Sequence, residues 1–274
     1  MDGEKATKIS MKIQYHRSVR LGPKHILTAM KPIKSHPAFT RAEKFAAMIS
    51  MVLALTCGAY GQSEPTVPFD LEKFQPVLSE CRLHSPRTSG KIAVKRGRFG
   101  GYELPARFHL GKDGTTMVLA TTNRGRDRSE LRHNSSWSLL GEEKRLSARL
   151  RFDKPVPLEG KSRLHVVQIY ITGQTKGPMV LVTWKPSYQG KEDHIWGYVR
   201  DSTTHDLGPR PGGFFNLDVS VKGGTVRMYM NGELKVEDDV SKFESSNAYF
   251  KTGSYHRGIE PQAVEFESLS ITAK

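Results

Sequence analysis

The chain has 274 residues, of which 37% are hydrophobic and 26% are charged, and its formal net charge is +14 at pH 7. This balance of apolar and charged residues excludes an intrinsically disordered protein and is typical of a folded globular chain. The excess of positive charge favours an anionic partner, and nucleic acid and acidic polysaccharide are the two classes that fit it.

The first 61 residues have the layout of a targeting segment. Residues 45–57 form an uncharged apolar run that follows a basic stretch and precedes the small-x-small sequence Ala59-Tyr60-Gly61. The run is too short to span a bilayer, and the order of basic, apolar and small residues is that of a secretory signal peptide. We therefore predict a leader and signal peptide over residues 1–61, with the signal itself at about 30–61, and a secreted or periplasmic protein. The alternative is a buried helix.

The two cysteines indicate a folded domain without a disulfide. Cleavage after residue 61 removes Cys57 and leaves Cys81 alone, so no internal disulfide can form. The residues before Cys57 are a poor lipobox, so we expect neither a lipid anchor there nor stable membrane insertion after cleavage. Residues 62–274 are long enough to bury one sizeable core, and we expect a monomer.

Beyond the signal, a lead-in segment is followed by strand patterns. Residues 62–90 are polar and interrupted by four prolines, and they are predicted as the lead-in. Apolar and polar residues then alternate with the period of β-strands in segments 115–122, 163–173, 179–184, 194–200, 214–224, 225–237 and 263–273. Asn231-Gly232 predicts a hairpin turn. No long helical pattern follows residue 61, so we predict an all-β sandwich or jelly roll in a single domain over residues 91–274.

Three segments place polar side chains on one face of a strand. Because residues two apart share a face, the side chains expected on the polar face are Arg128, Glu130, Arg132, Gln168, Tyr170, Tyr249, Lys251 and Tyr255. Side by side in one sheet, they would line a groove for an extended anionic sugar chain, since cations meet carboxylates and aromatic rings meet sugar faces. The same rule places His165 on the opposite, core-side face.

These three segments, in this order, resemble the motifs of polysaccharide lyase family 7, the alginate lyases. The family patterns R-[ST]-E-[LV]-R, Q-I-[HV] and Y-F-K-x-G-x-Y-x-Q correspond to RSELR at 128–132, QIY at 168–170 and YFKTGSYHR at 249–257. The resemblance extends over about residues 105–274. Each motif is short, but three in order at suitable spacing on an all-β chain are specific.

The resemblance implies a curved jelly-roll β-sandwich, concanavalin-like, that cleaves uronic-acid polymers by β-elimination. In that reaction a base removes the C5 proton, an acid protonates the leaving O4, and hydrogen-bond donors stabilise the charge on the carboxylate. By resemblance, Arg128 and Gln168 neutralise this carboxylate and Tyr255 transfers the proton. Glu130 is expected to orient the two arginines of its own strand. The residues expected to bind substrate or support the site are Glu130, Arg132, Lys251, Tyr249 and Arg257.

Two departures from the family pattern bear on the substrate. Many members have His where Tyr170 stands, and Arg257 replaces the final Gln. That His is thought to be the base for guluronate, whose C5 proton and O4 lie on opposite faces, whereas one Tyr can serve as base and then acid for mannuronate and glucuronate. We therefore expect endo-acting cleavage of mannuronate-type alginate or of glucuronan, with Tyr170 as a second candidate for the base.

Other functional classes remain as alternatives. A non-catalytic, lectin-like carbohydrate-binding protein would keep the groove without turnover. A jelly-roll glycoside hydrolase would need two close carboxylates, and the chain has no E-x-D-x-x-E run. A nucleic-acid binder would fit the charge, but no motif for it is recognisable. No histidine spacing such as H-E-x-x-H indicates a metal, so we expect no cofactor and no nucleic-acid partner.

Overall fold

The computed structural model describes residues 66–86, 92–158, 161–173, 177–243 and 247–273, which all lie in the compact unit Ser63–Lys274. The leader and signal peptide predicted over residues 1–61 lie outside the described residues, and so does Cys57. Within the described ranges, no helix is both long enough and apolar enough to cross a membrane.

The described chain consists almost entirely of β-strands. Its helical pieces are three 3-10 helices and one short α-helix: Pro68–Asp70, Glu72–Phe74, Ser241–Phe243 and α1 Gln75–Ser79. The strands are β1 Cys81–His84, β2 Phe108–Leu110, β3 Met117–Ala120, β4 Gly125–His133, β5 Lys144–Arg151, β6 Arg163–Ile171, β7 Val180–Tyr188, β8 Lys191–Val199, β9 Thr204–Pro209, β10 Phe215–Lys222, β11 Thr225–Met230, β12 Glu233–Asp239, β13 Ala248–Ile259 and β14 Ala263–Thr272.

These strands form two antiparallel sheets of seven strands each. Sheet A has the order β1-β4-β13-β6-β7-β8-β9, and sheet B has the order β12-β11-β10-β5-β14-β3-β2. Side chains from both sheets meet in one hydrophobic core, whose largest buried members are Trp184, Phe74, Phe99, Phe108, Phe215, Phe250 and Phe266. Two sheets around one core are the architecture of a jelly-roll β-sandwich, so the predicted fold class is confirmed.

The hairpin of β11 and β12 shows how the local sequence sets this architecture. Val226, Met228 and Met230 alternate with more exposed residues and are buried in the core. Each fully buried side chain of this size contributes about 1.5–3 kcal/mol relative to exposure. The turn is formed by Asn231 and Gly232 with φ values of 52° and 81°, which are the positive angles that a two-residue hairpin turn requires. The hairpin predicted at this pair is confirmed.

Four strands lie where the sequence patterns predict none: β1, β2, β5 and β9. Strand β1 falls within the 62–90 segment and pairs with β4, and Phe74 and Leu78 of the same segment are buried in the core. The lead-in is therefore continuous with the sandwich. Strand β5, with sequence KRLSARLR, buries Leu146 and Leu150, but its many basic residues obscure the apolar pattern.

Two β-bulges in sheet A determine which side chains share a face. The pairing of β13 with β6 shifts between Thr252 and Tyr255, and the pairing of β6 with β7 shifts between His165 and Val167. Gly253 lies in the first bulge with a φ of 136°, and a Cβ there would lie 2.5 Å from the carbonyl oxygen of Ser129. This position therefore requires glycine. Because a bulge adds one residue to one strand, the alternation of faces changes across it.

Candidate active site

A cavity of about 430 Å³ lies on the face of sheet A that points away from the core. It is lined mainly by β6 and β7, with single residues from β4, β8, β9 and β13, and its polar side chains include Arg126, Arg163, His165, Gln168, Tyr170, Lys185 and Tyr255. All three sequence motifs lie on or beside this cavity, because β4, β13 and β6 are adjacent strands of the sheet. The structure thus brings together segments that are far apart in the chain.

The strand register arranges the polar side chains in three rows, since paired residues of antiparallel strands project from the same face. The first row contains Arg82, Arg132, Lys251 and Gln168. The second, which we call the tyrosine row, contains Arg128, Tyr255 and His165. The third, which we call the arginine row, contains Arg126, Arg257 and Arg163. Most of the predicted site residues are members of these rows, with Glu130, Tyr249 and Tyr170 beside them.

The phenol of Tyr255 is held by two hydrogen bonds from one guanidinium. Arg126 donates to the phenol oxygen from Nε at 3.1 Å and from Nη2 at 2.8 Å. The imidazole ring of His165 packs against the Tyr255 ring, with centroids 5.3 Å apart. A phenol that gives up its proton carries negative charge on this oxygen, and charge-assisted donors stabilise that charge. The surroundings of Tyr255 therefore suit proton transfer.

A buried carboxylate organises the first row. Glu130 is only 1% exposed, accepts a hydrogen bond from Gln168 Nε2 and lies 3.5 Å from Lys251 Nζ. It contacts these two side chains and not the arginines of its own strand, in contrast to the expectation from the sequence. The Gln168 amide nitrogen retains a second hydrogen for a ligand. Glu130 therefore positions Gln168 and Lys251.

Two arginines of β4 have hydrogen-bond donors that are available to a ligand. In the described part of the chain, the buried Nε atoms of Arg128 and Arg132 have no hydrogen-bond partner. The Arg132 guanidinium lies over the Tyr249 ring at 3.8 Å, and Tyr249 stacks on Tyr170 with centroids 5.9 Å apart. A buried donor without a partner costs about 1–3 kcal/mol. Aromatic packing keeps Arg132 in place, and an anion could satisfy the free donors.

Tyr170 is poorly suited to act as a base. Burial, followed by the negative charge of Glu130, raises the pKa of its phenol well above the ordinary value. Lys251 Nζ lies 5.0 Å from the centre of its ring, and Tyr249 covers another side. These contacts favour a packing role, in which Tyr170 forms part of the cavity wall.

The prediction that His165 faces the core is wrong. The bulge between His165 and Val167 places His165 on the same face as Gln168, and its ring lines the cavity. Burial, followed by the nearby charges of Arg163 and Lys185, lowers the pKa of His165 to about 3. The imidazole is therefore neutral at neutral pH, and its buried Nδ1 has no hydrogen-bond partner among the described residues.

The sequence motifs also miss Arg126 and Arg163. Arg126 could have been recognised, because it extends the two-residue period of Arg128, Glu130 and Arg132 by one step. Arg163 shares its face with His165 and, across the bulge, with Gln168. No signal in the β6 sequence identifies that change of face.

The chain is similar to known alginate lyases in sequence pattern and in fold. The alginate lyase family model matches residues 70–273. No curated protein matches the chain. Among solved structures, the alginate lyase AlyC3 is 20% identical, with a TM-score of 0.68 over 78% of this chain and 97% of its own. The alginate lyase from Corynebacterium sp. is 18% identical, with a TM-score of 0.61 over 77% and 99%.

Two further solved structures of alginate lyases match the chain. The alginate lyase AlgAT5 from polysaccharide lyase family 7 is 22% identical, with a TM-score of 0.59 over 75% of this chain and 98% of its own. AlyC3 is also known in complex with dimannuronate, with 19% identity and a TM-score of 0.67 over 78% and 97%. At these identities, the structural likeness shows a common fold.

Proposed function

The chain belongs to the alginate lyase family and is a polysaccharide lyase, and from this premise we propose that it cleaves mannuronate-type alginate or glucuronan within the polymer, with Tyr255 as the proton-transfer residue. The observation that carries the assignment of Tyr255 is the pair of hydrogen bonds from Arg126 to its phenol oxygen. A cation at that atom stabilises the phenolate, which must be present before the C5 proton is removed and which forms again when the phenol protonates O4.

The roles of the neighbouring side chains follow from the reaction. The Tyr255 phenolate removes the C5 proton, the electron pair forms the C4–C5 double bond, and the C4–O4 bond breaks. The resulting phenol then returns the proton to O4. Arg128, which pairs with Tyr255, and the free amide hydrogen of Gln168 are the donors for the carboxylate at C5. Their hydrogen bonds strengthen as charge moves onto that group, which lowers the barrier.

The proposed substrate follows from the presence of a single proton-transfer phenol, that of Tyr255, in the candidate active site. A single group can serve as base and acid when the C5 proton and O4 lie on the same face of the sugar, as in mannuronate and glucuronate. The raised pKa of Tyr170 disfavours it as a second base. The complex of AlyC3 with dimannuronate supports a mannuronate polymer.

Endo cleavage is supported by cationic rows on both sides of the tyrosine row, which allow the polymer to extend in either direction.

The test is an absorbance assay for the 4,5-unsaturated uronate over purified mannuronate blocks, guluronate blocks and glucuronan. We expect turnover of mannuronate blocks or glucuronan to exceed that of guluronate blocks at least tenfold, and early products to be mixed oligosaccharides. A preference for guluronate would contradict the single-phenol mechanism. Release of one product size from the start of the reaction would contradict endo cleavage.

A further inference from the structure

The arginine row is an unusual arrangement of like charges. Arg257 on β13 pairs with Arg126 on β4 and with Arg163 on β6, so three guanidinium side chains lie side by side on one face. Lys185 on β7 also lines the cavity. Like charges directly opposite one another on neighbouring strands destabilise a sheet. The row therefore weakens the fold unless an anion compensates for it.

In the part of the chain that the structure describes, no carboxylate supplies that compensation. Among the described residues, no ion pair joins an acidic side chain to Arg126, Arg163, Arg257 or Lys185. The arginines of β5 in sheet B behave differently, since Arg145, Arg149 and Arg151 pair with Asp218, Glu267 and Glu265. Among the described residues, the arginines of β5 are thus neutralised by carboxylates, whereas those of the arginine row have no acidic partner.

The electrostatics within the row show the same imbalance. Burial, followed by the charge of Arg257, lowers the pKa of Arg163, and Arg126 adds to this effect. Burial, followed by the charge of Arg163, lowers the pKa of Lys185. The Nε atom of Arg163 is buried and has no hydrogen-bond partner in the described part of the chain. Arg126 is directed to Tyr255, so Arg163 and Arg257 carry the donors that remain available.

We propose that Arg163 and Arg257, assisted by Lys185, form a subsite that binds the oxyanion of the sugar unit next to the one being cleaved. The inference rests on the proposed function, because it places a neighbouring unit of the same polymer at this position. The arginine row lies two residues along the strands from the tyrosine row, which corresponds to a separation of about 7 Å. A guanidinium can meet such an oxyanion with two parallel hydrogen bonds.

The central member of the row departs from the family pattern. Arg257 stands where the family pattern has Gln, and this exchange turns two separated arginines into a continuous row. The subsite therefore favours polymers in which consecutive units are acidic. The oxyanion is either the carboxylate of an adjacent uronate or a sulfate ester on the adjacent unit.

The kinetic test uses Arg163→Gln and Arg257→Gln with Arg149→Gln as the matched control. Arg149 is a strand arginine on sheet B that pairs with Glu267. For each arginine-row variant, we expect the KM for polymannuronate to rise about tenfold, which is 1.4 kcal/mol, while kcat changes less than about twofold. Unchanged KM values in both arginine-row variants, on polymannuronate and on a sulfated uronic-acid polymer alike, would overturn the subsite.

A comparison of polymers identifies the source of the oxyanion. If Arg257→Gln raises KM on an unsulfated polyuronate, the group is a carboxylate. If KM rises only on a sulfated uronic-acid polymer, the group is a sulfate ester. Equal KM values for wild type and variant on both polymers would reject both sources.

A second measurement does not depend on turnover. At constant ionic strength set with chloride, inorganic sulfate should raise the Tm of the wild type and of Arg149→Gln more than that of the Arg163→Gln/Arg257→Gln double variant. Without sulfate at low salt, Arg257→Gln should be at least as stable as the wild type, because one like charge is removed. An equal increase in Tm with sulfate in all three proteins would show a general salt effect and would contradict the subsite. If the double variant responds less to sulfate but the wild type has no lyase activity, the anion site is retained and only the proposed function is contradicted.

Discussion

Arg126 and Tyr255 form a two-point contact across adjacent strands β4 and β13, in which both Nε and Nη2 of the guanidinium donate to one phenol oxygen. The register places Arg126 opposite Arg257 and Arg128 opposite Tyr255, so the Arg126 side chain reaches diagonally to the phenol. This contact directs a full positive charge at the atom that would exchange a proton with the substrate. The positive charge beside the Tyr255 phenol distinguishes this residue from Tyr170, whose phenol lies near the negative charge of Glu130.

Replacement of Tyr255 by Phe removes the oxygen that is proposed to transfer the proton. We expect kcat to fall by at least about 10³-fold, because one group serves as base and acid. The fold should be retained, since the change removes two exposed hydrogen bonds, each worth about 0.5–1.5 kcal/mol. Absorbance of the unsaturated product measures activity, and thermal unfolding measures stability. Tyr229→Phe on sheet B is the matched control. Substantial turnover by the Tyr255 variant would exclude the assignment.

Replacement of Arg126 by Gln removes the charge beside the phenol and leaves a side chain of moderate length. We expect kcat to fall about 10²-fold, in line with the loss of one preorganised donor group, with a smaller change in KM. Arg126→Lys keeps the charge but loses the two-donor geometry, so it should recover part of the activity. Steady-state kinetics on polymannuronate give both values. If Gln and Lys variants turn over equally, the charge at this position has no role.

The sequence predicts the continuous parts of the sheets well, because alternation and turn chemistry are local properties. The faces of Arg128 and Arg132 follow from a period of two, and the β11–β12 hairpin follows from Asn231-Gly232. The face of His165 could not be predicted in this way. It depends on a bulge whose position is set by contacts between strands, and a single added residue reverses every later side chain.

Replacement of Gly253 by Ala tests the bulge in β13 directly. The added Cβ would lie 2.5 Å from the Ser129 carbonyl oxygen, and the backbone has a φ of 136°. Both the clash and the backbone angle disfavour alanine, so we expect the free energy of unfolding to fall by more than about 2 kcal/mol. Urea unfolding provides the measurement. Gly100→Ala is the control, because no atom lies within 4 Å of a Cβ at that position. A Gly253 variant as stable as the control would show that the bulge can shift without cost.

Acid sensitivity tests the burial of the two neutral histidines, His165 and His84. Burial and nearby cations lower the pKa of each to about 3, whereas an unfolded histidine titrates near 6.5. Below pH 6.5 the unfolded state therefore binds more protons than the folded state, so the stability that is fully present above this pH is lost progressively as the pH falls towards 3. The maximal slope is about 1.4 kcal/mol per pH unit for each histidine.

We expect His165→Gln to show a shallower decline of the urea midpoint between pH 6.5 and 4 than the wild type. His109→Gln is the control, because His109 lies on β2 of sheet B and is only partly buried. Identical pH profiles for the wild type and the His165 variant would show that His165 takes up its proton equally in the folded and the unfolded protein.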